Sequence, residues 1–152
     1  MFRGAHSLNL DAKGRLAIPS RFREDIVERC NGNMVATVNN TKEYCLWLYT
    51  MDEWVKVEEK LVALPSFDQN HQKLKRFLLG YASEMEMDGS GRILLPAPLR
   101  EFAMMTKEIF LVGQGNKLEV WSKELWNAKR TQWLKEEMDL ERISVEMEQL
   151  TL

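Results

Sequence analysis

The sequence predicts an α+β fold assembled from two tandem pseudo-repeats. Three features predict it: a segment that returns in register 77 residues later, apolar residues alternating with period two around a glycine turn in both copies, and helical stretches after each copy. LNLDAKGRLAIPSRFRE returns as MEMDGSGRILLPAPLRE, so Asp11, Gly14, Arg15, Pro19, Arg23 and Glu24 map onto Asp88, Gly91, Arg92, Pro96, Arg100 and Glu101.

Leu8, Leu10, Leu16 and Ile18 share one phase across a strand, a tight connection and a returning strand, and Met85, Met87, Ile93 and Leu95 repeat that phase. Gly14 and Gly91 precede the returning strand, where chain reversal calls for positive φ. Pro19 and Pro96 end it, because proline has no N–H for a ladder, and a short amphipathic helix follows each. Each half closes on a further β pair: Met34 to Asn39 with Tyr44 to Tyr49, and Ile109 to Gly113 with Leu118 to Trp121. Thr50 with Glu53 three residues on reads as a capping box, Ser122 announces another helix, and Pro65 divides two helices between Asp52 and Leu79. Trp126, Trp133, Leu140 and Met147 recur every seven positions, a helical seam that either packs on its own domain or joins subunits. The expected organisation is a first repeat over 1-52, connecting helices over 53-80, a second repeat over 81-124 and a C-terminal helix over 125-152.

Composition narrows the function. A chain of 152 residues with 45% hydrophobic content can bury a core. No apolar run is long enough to span a bilayer, and the opening MFRGAHSLNLDAKGR is charged where a secretory signal is apolar, so a cytoplasmic protein without membrane contact is expected. Cys30 and Cys45 lack metal or redox spacing and read as small apolar residues in a reducing compartment. Only His6 and His71 are present, neither in a ligand-spaced cluster, so no enzyme, cofactor or metal site is expected. The net charge of −2 conceals a polarity: residues 1-23 carry Arg3, Lys13, Arg15, Arg21 and Arg23 against Asp11 alone, a local +4, whereas residues 134-152 sum to −4. A local patch governs polyanion binding because attraction is screened beyond about 8 Å. On charge alone the two runs read as solvated faces.

The D-x-x-x-R element, Asp11-Ala12-Lys13-Gly14-Arg15 and again Asp88-Gly89-Ser90-Gly91-Arg92, is the most informative motif. Aspartate and arginine at the two ends of a tight loop can form a charge-assisted pair that fixes its shape. Arg15 can instead project its guanidinium to a phosphate or to guanine O6 and N7 while Asp11 orients it. The two roles are compatible.

These duplicated hairpins, the opening MFRGAHSLNLDAKGRLAIPSRFRE and the overall length resemble the MraZ family of the AbrB-like swapped-hairpin superfamily, over the whole chain. The resemblance implies a β-rich swapped-hairpin barrel in which hairpins from the two halves interlock, with helices packed outside. It also implies a nucleoid-associated transcriptional regulator, a ring-like homo-oligomer that binds G-rich direct repeats of double-stranded DNA in the promoter of the division and cell-wall gene cluster. The family's DNA-contacting arginine falls on Arg15, and its loop on Asp11 to Gly14.

The residues add an asymmetry. Arg3, His6, Lys13 and Arg21 are replaced at the 77-residue offset by Gly80, Ser83, Ser90 and Pro98. The first hairpin is therefore expected to read DNA, with Arg15, Lys13 and Arg3 as contacts and Asp11 and Gly14 shaping the loop. His6 is either a further phosphate contact or an ordinary packed residue. In the second hairpin Asp88, Gly91 and Arg92 are expected to shape the loop only. The competing class is a protein-interaction module, an antidote-like or assembly protein whose acidic tail binds a partner protein.

Overall fold

The computed structural model describes residues 1–39, 41–136 and 149–150. The first half runs β1 (Ala5–Asn9), β2 (Arg15–Ala17), α1 (Ser20–Cys30), β3 (Asn33–Val38) and β4 (Leu46–Thr50). After α2 (Met51–Val62) and α3 (Gln69–Leu78) come β5 (Ser83–Glu86), β6 (Arg92–Leu94), α4 (Ala97–Phe102), β7 (Glu108–Gly113), β8 (Leu118–Ser122) and α5 (Lys123–Lys135).

The strands of the two halves interleave. β1 pairs antiparallel with β7, placing Leu8 opposite Ile109, and β5 pairs with β3, placing Met85 opposite Met34. β4 lies against β8 with Trp47 opposite Glu119, and β2 against β6 with Leu16 opposite Ile93. The product is an antiparallel six-stranded sheet, β1-β7-β8-β4-β3-β5, and a two-stranded ribbon, β2-β6. Leu16 and Ile93 are each other's repeat equivalents, so a pseudo-twofold axis passes between them. The offset between equivalents falls from 77 at the ribbon to 75 at β3 and β7 and 72 at β4 and β8. The first half is longer because α1 has 11 residues where α4 has 6, and because its β3–β4 connection is longer.

The closed barrel that the resemblance implies is not what forms. β1 and β5 are the edges of an open sheet, because the ribbon strands are only three residues long and each leads into a proline that cannot extend a ladder.

One face of the sheet, with the ribbon, α1 and α4, encloses the main core, where Leu16, Ile18, Ile26, Leu48, Ile93 and Leu95 are fully buried. All eight in-phase residues of the duplicated hairpins pack there, Leu8, Met85 and Met87 being only partly buried. The other face is covered by Trp54, Leu61 and Leu78 of α2 and α3 over Val35 and Tyr49, and by Leu125 and Trp126 of α5 over Val112 and Trp121. Cover on both faces explains why β3 is buried at five successive positions where an alternating pattern would mark a half-exposed strand.

The helix signals fare unevenly. Ser122 Oγ accepts the Leu125 N–H at 3.1 Å, but the Thr50 side chain caps nothing in α2, so the capping box does not form there. Asp68, unnoticed in the sequence, caps α3 through the N–H groups of Asn70 and His71. Pro65 lies between α2 and α3. Trp126 and Trp133 both meet Trp121, with ring centroids 5.7 and 5.8 Å away, so this part of the seam packs on its own sheet. Leu140 and Met147, and most of the acidic tail, fall outside the described residues. Cys30 and Cys45 are free thiols, and burial with nearby Glu119 pushes the Cys45 thiol pKa up, keeping it protonated.

Since Leu16 and Ile93 are fully buried at the pseudo-axis, Leu16→Ala and Ile93→Ala are each expected to lower unfolding free energy by about 2–5 kcal/mol. Urea denaturation checks this, and a negligible shift in either midpoint would show that the ribbon lies outside the cooperative core.

Candidate nucleic-acid interface

Between β1 and β2 the chain reverses over five residues, and the Asp11 carboxylate satisfies the loop from within. Its Oδ1 accepts the backbone N–H groups of Lys13 and Arg15, each at 2.9 Å, and its Oδ2 accepts Arg15 Nε at 2.6 Å. The main chain closes the turn through Asp11 N–H to Arg15 O at 2.9 Å and Gly14 N–H to Asp11 O at 3.0 Å. The second loop repeats every bond: Asp88 takes the N–H groups of Ser90 and Arg92 at 2.9 Å and Arg92 Nε at 3.0 Å. These donors hold both carboxylates below the usual range, Asp11 at about 2, the Arg15 backbone N–H contributing most.

The pairing through Nε decides what each arginine can still do. A guanidinium has five N–H donors. In Arg15 one is engaged, and Nη1 and Nη2 have no protein partner among the described residues. The loop therefore fixes the arginine and leaves its outer fork available to a planar acceptor pair such as guanine O6 and N7 or a phosphate. Arg92 has the same geometry and is slightly more exposed, at 37% against 29%, so local shape does not separate the two loops.

Each loop is locked by the opposite half. Gly14 O accepts the Leu95 N–H at 3.0 Å, and Gly91 O accepts the Ile18 N–H at 2.8 Å. Both glycines are buried at positive φ, +87° and +75°. Arg100 lies across Gly14 while its Nε donates to Leu95 O at 3.0 Å, and Arg23 lies across Gly91 while its Nε donates to Ile18 O at 2.7 Å. A Cβ on either glycine would collide with that guanidinium. Arg23 and Arg100 were visible in the sequence as duplicated landmarks but carried no expected role.

The residues expected to contact DNA do not form one patch. Lys13 and Arg15 sit at the loop, at one end of β1. Arg3 is exposed at the other end, beside the β7–β8 turn, where Phe2 and Gly115 form a bridge. A five-residue strand, roughly 16 Å, lies between. His6 is half-buried with its ring edge-on to Phe22 at 5.5 Å, and its Nε2 is buried without a partner among the described residues. Arg21 stays exposed over the Phe22 ring at 5.1 Å. What differs between the two loops is their approach: β1 turns Ser7 and Asn9 outward, whereas β5 turns Glu84 and Glu86 outward.

The Asp11 carboxyl supplies a pH test. Its pKa in the fold lies at about 2, below the ordinary 3.8, so the bonds it makes favour the fold fully above the ordinary value and are lost as pH falls toward 2. An NMR titration is expected to place Asp11 near 2, and in Arg15→Ala still below 3.8, since the position 15 N–H persists. An ordinary midpoint in the wild-type chain would show that the loop is not held this way.

The family model described as "MraZ protein, putative antitoxin-like" matches the chain twice, over residues 1–77 and 78–147. Over all 152 residues the chain is 47% identical to "Transcriptional regulator MraZ" of Thioalkalivibrio sulfidiphilus, covering 100% of both chains. It is 55% identical to the protein of that name from Hydrogenovibrio crunogenus over 133 residues, 88% of this chain and 87% of the relative. Against that from Pseudomonas putida it is 49% identical over 128 residues, 84% of each. A model that fits both halves, with relatives this similar along the length that carries both D-x-x-x-R loops, settles the kinship: the chain belongs to the MraZ family.

Proposed function

We propose that this chain is a sequence-specific DNA-binding transcriptional regulator that reads its site through the Asp11–Arg15 loop. The observation that carries this reading is Arg15 itself, held by Nε at a rigid turn with its outer fork unpartnered among the described residues. The relatives' name, transcriptional regulator, supports it over an antidote-like interaction module. Arg15 engages guanine bidentately or grips a phosphate, and Lys13, exposed at the same turn, supplies a second positive charge. Arg3, at the far end of β1, reaches the backbone at a separate point. His6, turned against Phe22, serves packing in this account. Arg92 shapes its own loop, because Glu84 and Glu86 beside it repel phosphates.

The interleaving of β1 with β7 and β5 with β3 supports a swapped-hairpin arrangement satisfied inside one chain. One reader per subunit follows. Identical subunits then join through unlike surfaces, and such head-to-tail contacts close into rings. Neighbouring readers face the same way along DNA, so the operator is a set of direct repeats about 10 bp apart. In keeping with the family resemblance, these repeats are G-rich and lie in the promoter of the division and cell-wall cluster, and the protein acts on the nucleoid.

Arg15→Ala is expected to abolish specific binding while leaving thermal stability nearly unchanged, a loss of about 1–3 kcal/mol per site multiplied across bound subunits. Arg92→Ala, which removes the same loop bond, is expected to change the melting temperature as little as Arg15→Ala does and to spare binding. Equal loss of affinity in two equally stable variants, read by mobility shift and thermal melts, would refute the asymmetry.

The form of the operator is a separate expectation. Inverting one of two repeats is expected to weaken binding more than scrambling the spacer at constant length. An operator that binds equally well with a repeat inverted would show that the readers pair by twofold symmetry.

A further inference from the structure

Beside the first loop the two halves enclose a cleft of about 690 Å³, walled by Leu10 and Asp11 from one half and by Arg100, Thr106 and Lys107 from the other. We propose that this cleft seats a DNA phosphate flanking the base step read by Arg15, with Lys107 and Arg100 as its cationic walls. The proposal rests on the DNA-binding reading and extends the interface to residues of the second half.

The pseudo-symmetry supplies the argument. At the neck of the first loop the Leu10 N–H donates to Lys107 O at 2.8 Å; at the neck of the second the Met87 N–H donates to Gly32 O at 2.9 Å. The two bonds are equivalent, so a glycine occupies beside the second loop the place of a lysine beside the first. Lys107 is exposed and makes no ion pair among the described residues, its neighbour Glu108 being paired with Lys123 at 3.3 Å. Arg100 is already fixed by Leu95 O and by its seat over Gly14, so its charge is positioned before any ligand arrives. Thr106, also exposed, adds a hydroxyl.

The one carboxylate lining the cleft among the described residues, Asp11, has both oxygens engaged by Lys13 and Arg15. Lys13 and Arg15 on the loop and Arg100 and Lys107 on the cleft, two of the four from the far half of the chain, stand against Asp11 and against Glu108, which is paired with Lys123. Duplex DNA carries one phosphate charge per about 1.7 Å of axis, so a base-edge reader has phosphates close on its flanks. Lysine serves such a contact as a point charge.

The test compares full-length wild type with Lys107→Gln, Lys107→Arg and Arg15→Ala on a duplex that the wild type selects from random sequence. Lys107→Gln is expected to melt like wild type and to bind more weakly at low salt. Its log affinity against log salt should be shallower by about 0.9 per bound subunit, equivalent to roughly three- to fourfold less salt sensitivity per subunit between 50 and 200 mM. Its ranking of operator variants should not change, and Lys107→Arg should restore the slope. A wild-type slope and affinity in Lys107→Gln, with binding lost in Arg15→Ala, would overturn the phosphate seat and leave the DNA reading intact. Failure of the wild type to select any duplex would overturn both.

Discussion

Two main-chain hydrogen bonds, Ile18 N–H to Gly91 O and Leu95 N–H to Gly14 O, tie each D-x-x-x-R loop to the half of the chain that does not encode it. Much else follows from them. The donor strand comes within hydrogen-bonding distance of a glycine at positive φ, and the arginine of the following helix lies over that glycine as a lid, in the space a Cβ would take. The lid's Nε in turn satisfies the carbonyl where the ribbon strand ends. Leu16 and Ile93 fill the space between the two crossings, so the loops, the ribbon and the centre of the core form one unit. A loop held by its own carboxylate, by the opposite strand and by a packed guanidinium loses little freedom on meeting a ligand.

Identical scaffolds carry different surroundings in the two copies of the loop. The carboxylate geometry is the same in both to within a few tenths of an ångström. The divergence lies in what flanks each loop: Ser7 and Asn9 against Glu84 and Glu86, Lys13 against Ser90, Lys107 against Gly32. None of these positions is needed for the lock. Substitution there changes the local potential without touching the bonds that hold the fold together.

The duplication was legible because it preserves residues with strict local demands: a carboxylate that must reach two N–H groups, a glycine at positive φ, a proline after a short strand. The phase of Leu8, Leu10, Leu16 and Ile18 gave the buried face correctly. Partners were another matter, since a period-two pattern specifies which side of a strand is buried and says nothing of which strand lies beside it. The β1–β7 pairing and the open sheet were therefore hidden. Counting charge along residues 1-23 merged two ends of β1 that lie roughly 16 Å apart. Lys107 was out of reach because it comes from the other half, after the repeat offset has slipped from 77 to 75. Thr50 offered the right side chain for a cap, but it is fully buried and accepts from no helix N–H.

The pairing of β1 with β7 also governs the order in which the chain can become itself. Residues about 100 apart along the sequence are neighbours across that ladder, so β1, made before β7, has no partner there until β7 follows. At about 5–20 residues per second the wait is roughly 5–20 s, long against the microseconds in which a local hairpin forms. During synthesis β1 is an unpaired edge, and its defence against wrong pairing is composition: Ala5, Ser7 and Asn9 on its exposed side give a sticky neighbour little to bury. A truncated product that stops before β7 leaves β1 without the strand it pairs with.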